Sequence, residues 1–167
     1  MNLSVAKLNV NNGRLTVSQA GGDNKPRVYD KVNIALSDFS FASSFPFSVT
    51  AQLPGNGNLK IEGKAGPINA GDAAKTPLDA KVTVQKMNLA ESGFIDPAAG
   101  ISGIADFDGN VTSDGHEAKT TGTLKATNLQ VVKKGSPAGR LVQLNYIVNY
   151  DLAKEAGTIS QGEIAMG

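Results

Sequence analysis

Val82-Thr-Val-Gln-Lys-Met-Asn-Leu89 is the stretch whose reading decides the fold. Val82 and Val84 alternate with polar neighbours, as do Met87 and Leu89. Residues two apart share a face of a strand, so each pair marks one side of a sheet. Between Val84 and Met87 the alternation slips by one residue. An uninterrupted strand would send those two side chains to opposite faces. A β-bulge restores the phase and bends the strand. The same spacing recurs at Leu3, Val5, Leu8, Val10; at Ile34, Leu36, Phe39, Phe41; and at Leu124, Ala126, Leu129, Val131. In every copy the residue inside the second pair is polar: Asn9, Ser40, Asn88 and Gln130. Long bent strands are expected, with ladder breaks within 36–39, 84–87 and 126–129.

Working outward, the chain reads as strands throughout. Residues 2–10 and 14–19 are two strands, with Asn11-Asn12-Gly13 as a hairpin turn, because both Asn and Gly tolerate positive φ. Gly21 to Pro26 is a loop, and 28–41 a strand. Phe45, Phe47, Val49, Ala51 and Leu53 alternate with Pro46, Ser48, Thr50 and Gln52. This is the cleanest one-sided strand of the chain. Pro54-Gly-Asn-Gly57 turns into 58–65, and the Gly-, Ala- and Pro-rich segment 66–77 is a loop. Strands follow at 78–89, 101–112, 117–132, 142–150 and 158–165. A helical turn fits only within 89–97, where Gly93 and Pro97 limit it.

These are about ten strands joined by short turns, with no crossover long enough for parallel pairing. The expectation is all-β: one long, curved, antiparallel meander, 1–167, with a one-sided apolar groove. A β-sandwich that binds carbohydrate or a surface is the alternative, disfavoured because such modules present exposed aromatics while Trp is absent here and Tyr numbers three. The groove is expected to be lined by Ile34, Leu36, Phe45, Phe47, Val49, Leu59, Ile61, Val82, Val84, Leu124, Val142, Leu144, Tyr146 and Val148.

Composition narrows the function. Lys and Arg number 16 against 15 Asp and Glu, which is no footprint for nucleic acid. Cysteine is absent, so disulfides, thiolate nucleophiles and cysteine-ligated zinc are excluded. No run approaches the roughly 20 apolar residues of a membrane helix. His116 beside Asp114-Gly115 reads as a turn residue rather than a catalytic base. Asp106-Phe-Asp-Gly-Asn110 opens like a calcium loop but lacks the closing glutamate. On a strand its three polar side chains share a solvated face instead. Gly55-Asn-Gly57 has no following helix to hold a phosphate. Asn110-Val-Thr112 matches a glycosylation acceptor, which means little without a secretory context. Phe39, Phe41, Phe45 and Phe47 read as apolar lining rather than as a base-stacking platform, because no basic groove accompanies them. No residue set calls for a cofactor, and no acid–base pair marks an enzyme.

Three stretches resemble the AsmA-like proteins of Gram-negative envelopes. They are Thr121-Gly-Thr-Leu-Lys-Ala-Thr-Asn-Leu-Gln-Val131 followed by Gly135-Ser-Pro-Ala-Gly139, Leu78 to Leu89 followed by Glu91-Ser-Gly-Phe94, and Ile101-Ser-Gly-Ile-Ala-Asp-Phe-Asp-Gly109. The resemblance covers roughly residues 28–165. It implies a non-enzymatic periplasmic segment of a parent chain anchored in the inner membrane by an N-terminal helix. It also implies a curved sheet with an apolar concave face, and a part in phospholipid movement towards the outer membrane and in outer-membrane assembly. The chain departs from that pattern in having no membrane helix, so it would be an excised segment. The partners implied are phospholipid acyl chains.

Overall fold

The computed structural model describes residues 4–17, 26–93 and 95–167. The expectations for Leu3, for the end of the strand at 18–19, for most of the loop at 21–26 and for Phe94 lie outside them. The described chain forms β1 (Ser4–Val17), β2 (Arg27–Ser40), β3 (Phe45–Gln52), β4 (Asn58–Ala65), β5 (Leu78–Asn88), β6 (Ser102–Ser113), β7 (Glu117–Gln130), β8 (Val142–Asp151) and β9 (Ala156–Met166). These nine strands make one open sheet in chain order, and every pairing is antiparallel. A single sheet replaces the alternative sandwich. Two single-turn 3-10 helices, Ala73–Lys75 and Pro97–Ala99, sit in the connections. The second falls at the end of the stretch expected to hold a helical turn. The first lies in the segment read as plain loop, where the Asp72 carboxylate accepts the Ala74 N–H at 3.0 Å.

The ladder breaks fall where the slipped alternation places them. Register shifts between Val84 and Met87 on β5, and opposite Gly103 on β7, where the shift lies between Ser102 and Ile104 of β6. On β2, Asp38 has no partner on β1, although the register either side of it is unchanged. One residue in each break takes positive φ: Asp38 at 50°, Lys86 at 54° and Asn128 at 52°. On β5 and β7 the extra residue is thus absorbed by one left-handed twist, and the apolar side chains before and after it return to the same face.

The hairpin at Asn11-Asn12-Gly13 is not formed. β1 runs through it as one strand, so nine strands replace about ten. Asn12 does take positive φ, at 53°, but in a bulge against β2. Its N–H donates to Asn33 Oδ1 at 2.9 Å. A bulge satisfies the left-handed preference of Asn-Gly as well as a turn does, and β2 supplies the partner that keeps the strand extended.

Candidate functional site: the apolar face

Cross-strand partners share a face, so the register gives its make-up. One row across the sheet reads Val10, Ile34, Val49, Ile61, Val82, Gly109, Gly122, Tyr146, Gly162. The next reads Leu8, Leu36, Phe47, Gly63, Ala80, Val111, Thr120, Val148, Ile159. On the other side of the first, Leu59, Val84, Phe107, Leu124, Leu144 and Ile164 form a third. Phe45 pairs with Ala65 one row beyond Phe47, and Val142 pairs with Ala126 one row beyond Leu144. All fourteen residues singled out in the sequence therefore stand on one face.

The opposite face reads Asn33, Thr50, Lys60, Thr83, Asp108, Thr123, Asn145, Glu163 along one row. It is laced by Lys60–Glu62 at 2.7 Å, Lys81–Asp108 at 3.5 Å and Thr123 Oγ1 donating to Asn145 Oδ1 at 2.8 Å. Two shallow hollows of about 390 and 660 Å³ lie on this polar side, one around Lys31, Thr50 and Lys60, the other around Lys86, Asp106 and Lys125.

Burial on the apolar face comes from neighbours on the same sheet. Ala80, Ala105 and Ala126 are buried because longer side chains stand around them. Phe45 and Val84 are buried, and the other twelve of the fourteen are half-buried. Two glycines of the first row, Gly109 and Gly122, are covered by aromatics. A Cβ on Gly109 would meet Phe107 Cζ at 2.8 Å, and one on Gly122 would lie 3.2 Å from the Tyr146 hydroxyl. That hydroxyl is 3.4 Å from Thr120 Oγ1, a polar spot on the face. Exposure rises towards both edges, with Leu8 and Leu15 on β1 and Ile159, Ile164 and Met166 on β9.

Packing also closes the two strand-end margins. At one, Phe39 stands edge-on to Phe41 and to Phe45, with ring centroids 5.2 and 4.9 Å away. The Ile68 N–H donates to the Phe41 carbonyl at 3.0 Å, tying the β4–β5 connection to this cluster. At the other, Leu89 and Ser92 are buried, and the Ser92 hydroxyl donates to the Leu89 carbonyl at 2.9 Å. The aliphatic part of Arg27 lies against Gly93 there.

The remaining sequence candidates fall on the polar side or in turns. Asp106 Oδ1 accepts the Lys86 N–H at 2.7 Å, so this carboxylate caps the bulge of β5. Asp108 faces Lys81 and accepts from the Thr83 hydroxyl at 3.4 Å. Among the described residues no group of acidic or histidine side chains is placed to hold a metal ion. His116 is an exposed turn residue, and its N–H, with that of Glu117, donates to Asp114 Oδ1 at 2.8 Å. No helix of the described residues is long and apolar enough to cross a membrane.

Sequence reasoning left out the bulge caps, and it left out several residues of the same face, including Val32, Met87, Phe107 and Val111. Their alternation was the available signal. No family model, curated protein or solved structure matches the chain.

Proposed function

We propose that this chain is a non-enzymatic segment of an envelope protein whose apolar face receives phospholipid acyl chains. The observation that carries the reading is the one-sided apolar face, continuous in register over nine strands and only half-buried across its middle. A contiguous apolar surface of that breadth marks an interaction site. Its burial is favourable at about 25 cal/mol per Å². Acyl chains suit it because they need no directional partners, and the face offers few. The sequence resemblance to AsmA-like proteins supports the same reading. It adds a periplasmic location, a parent chain anchored in the inner membrane, and a role in lipid transport and outer-membrane biogenesis. Contacts with acyl chains are interchangeable, so no single lining residue is essential.

The test is photo-crosslinking in cells, in the full-length parent protein, with the probe at Val49 on the apolar face and a control at Gln52 on the polar face. Lipid adducts at Val49 and few at Gln52 are expected. Equal labelling at both, or none at Val49, removes the lipid reading and leaves a structural sheet.

A further inference from the structure

Charge is spread unevenly along the chain. Between Glu117 and Asp151 there are five basic residues, Lys119, Lys125, Lys133, Lys134 and Arg140, and no acidic one, although the two signs nearly balance over the whole sequence. Lys133, Lys134 and Arg140 lie in the connection from β7 to β8. All three are exposed, and among the described residues none is paired with a carboxylate. The turns at the other end of these two strands have the opposite sign. Asp114 and Glu117 stand where β7 begins, and Asp151 and Glu155 where β8 ends, with Lys154 alone against them.

The basic connection also holds two apolar side chains in solvent. Val131 and Val132, which adjoin the lysine pair, are 61% and 57% exposed. Their exposure does not come from a loose loop. The Ala138 N–H donates to the Leu129 carbonyl at 2.8 Å. Gln130 Nε2 and the Gly135 N–H both donate to the Val132 carbonyl, at 2.8 and 3.1 Å. The backbone of Lys133 packs against the β5–β6 connection, where a Cβ on Gly100 would lie 2.6 Å from Lys133 N. The loop is tied to itself and braced by its neighbour, yet it leaves its valines and its cations in water.

We propose that this loop docks the chain on the surface of an anionic lipid bilayer. Phosphate-bearing headgroups complement three cations that have no acidic partner, and the layer just beneath them accepts valine side chains. Cations alone would suit a nucleic acid or an acidic protein as well. The exposed valines beside them select the bilayer, because a polyanion in water offers them no apolar cover. A loop already tied down loses little freedom on docking. Each lysine or arginine brought to such a surface raises partitioning roughly fivefold. The site lies in a strand-end connection, and it does not depend on what covers the apolar face.

The test is co-sedimentation of the purified chain with phosphatidylcholine vesicles, with or without phosphatidylglycerol. Wild type should bind the anionic vesicles, less so as salt rises, and hardly bind the neutral ones. Lys133→Gln with Lys134→Gln should lower the partition coefficient roughly tenfold or more. Val131→Ser with Val132→Ser should lower it roughly tenfold without changing its salt dependence. Lys64→Gln with Lys119→Gln removes the same charge from exposed positions near the opposite strand ends, and should leave binding within about twofold of wild type. All six positions are exposed, so the β circular-dichroism spectrum should be unchanged throughout. No binding to anionic vesicles, or equal binding to both kinds, overturns the proposal. So does a Lys133, Lys134 variant that binds like wild type, or a Lys64, Lys119 variant that loses as much. A valine variant that keeps full binding also overturns it, and makes the loop a site for a soluble polyanion instead. Lipid crosslinking at Val49 can fail while vesicle docking holds, so the two readings fail separately.

Discussion

The rings of Phe107 and Tyr146 stack with centroids 5.9 Å apart and planes 20° apart, although β7 runs between their strands. They meet because β7 carries Gly122 beneath them, paired with Gly109 on β6 and with Tyr146 itself on β8. Two adjacent glycines leave a gap in the face, and two aromatic side chains lean in to fill it. Glycine inside a strand weakens it unless something packs over the bare backbone.

That relationship predicts comparable costs for emptying one position and for filling the other. Tyr146→Ala should lose about 2 kcal/mol, less than a fully buried aromatic because the ring is half-exposed. Tyr146→Phe should lose under about 1 kcal/mol, since it gives up only the long contact with Thr120. Gly122→Val should cost about 2 kcal/mol, because a Cβ there lies 2.7 Å from the Asp108 carbonyl oxygen and 2.9 Å from Gly109 Cα, both backbone atoms. Urea midpoints measured at constant m would rank the three.

The bulge on β5 gives a second prediction. Lys86 holds φ at 54°, a region that disfavours any side chain. Lys86→Gly should raise stability by a few tenths of a kcal/mol, relief of that strain exceeding the extra entropy of glycine. Asp106→Ala should cost about 1 kcal/mol by leaving the Lys86 N–H without its acceptor, whereas Asp106→Asn keeps an oxygen there and should recover most of it. Equal losses for Ala and Asn would show that the hydrogen bond contributes nothing.

How far this was legible depends on what each residue type demands. The bulges within 84–87 and 126–129 were readable because a phase slip in an apolar alternation has one inexpensive solution, whereas at 36–39 the register against β1 does not shift. The fate of Asn12 was not, because positive φ is shared by turns and bulges, and only the neighbouring β2 decides between them. Asp106 was readable as one of three polar side chains on a solvated face, but its partner is a backbone amide on another strand, and no sequence pattern records that. The fourteen candidate positions were found by alternation alone. Phe107 and Tyr146 could be connected only once the register placed glycines between them.

Acid sensitivity is predicted at two turns. Asp114 accepts the N–H groups of Glu117 and His116, which lower its pKa below the usual aspartate value. Asp151 is lowered first by its side-chain hydrogen bond with Lys154, at 2.7 Å, and then by the Lys154 and Ala153 backbone amides. A depressed carboxylate contributes stability above its unfolded pKa and loses it as pH falls through the folded one. Stability should therefore fall below about pH 4. Lys154 is raised by the same partner, so the contribution of that pair should also fade as pH climbs beyond the usual lysine value. Asp151→Asn should flatten both limbs, whereas Asp114→Asn should flatten only the acid one. Denaturation midpoints from pH 2 to 11 would separate them.

A charge on the apolar face is the fourth prediction. Val49→Asp should destabilise by about 2 kcal/mol or more, because the carboxylate sits among Ile34, Ile61 and their neighbours without a partner. Gln52→Asp, on the hydrogen-bonding side beside Asn56, should cost less than about 1 kcal/mol. Comparable midpoints for the two would mean that the face is far wetter than its register implies.

Strand order equal to chain order has a kinetic and mechanical consequence. Every pairing joins segments consecutive along the polypeptide, so each loop closed during assembly is short and entropically inexpensive. Folding can start at any hairpin and grow outward, and low contact order makes that growth fast. Pulled from its two ends, the sheet should unzip strand by strand in a staircase of small force drops instead of failing in one event, as repeat arrays do when each unit touches only the next. A hairpin inserted or deleted as a unit would lengthen or shorten such a molecule without changing how any remaining strand is paired.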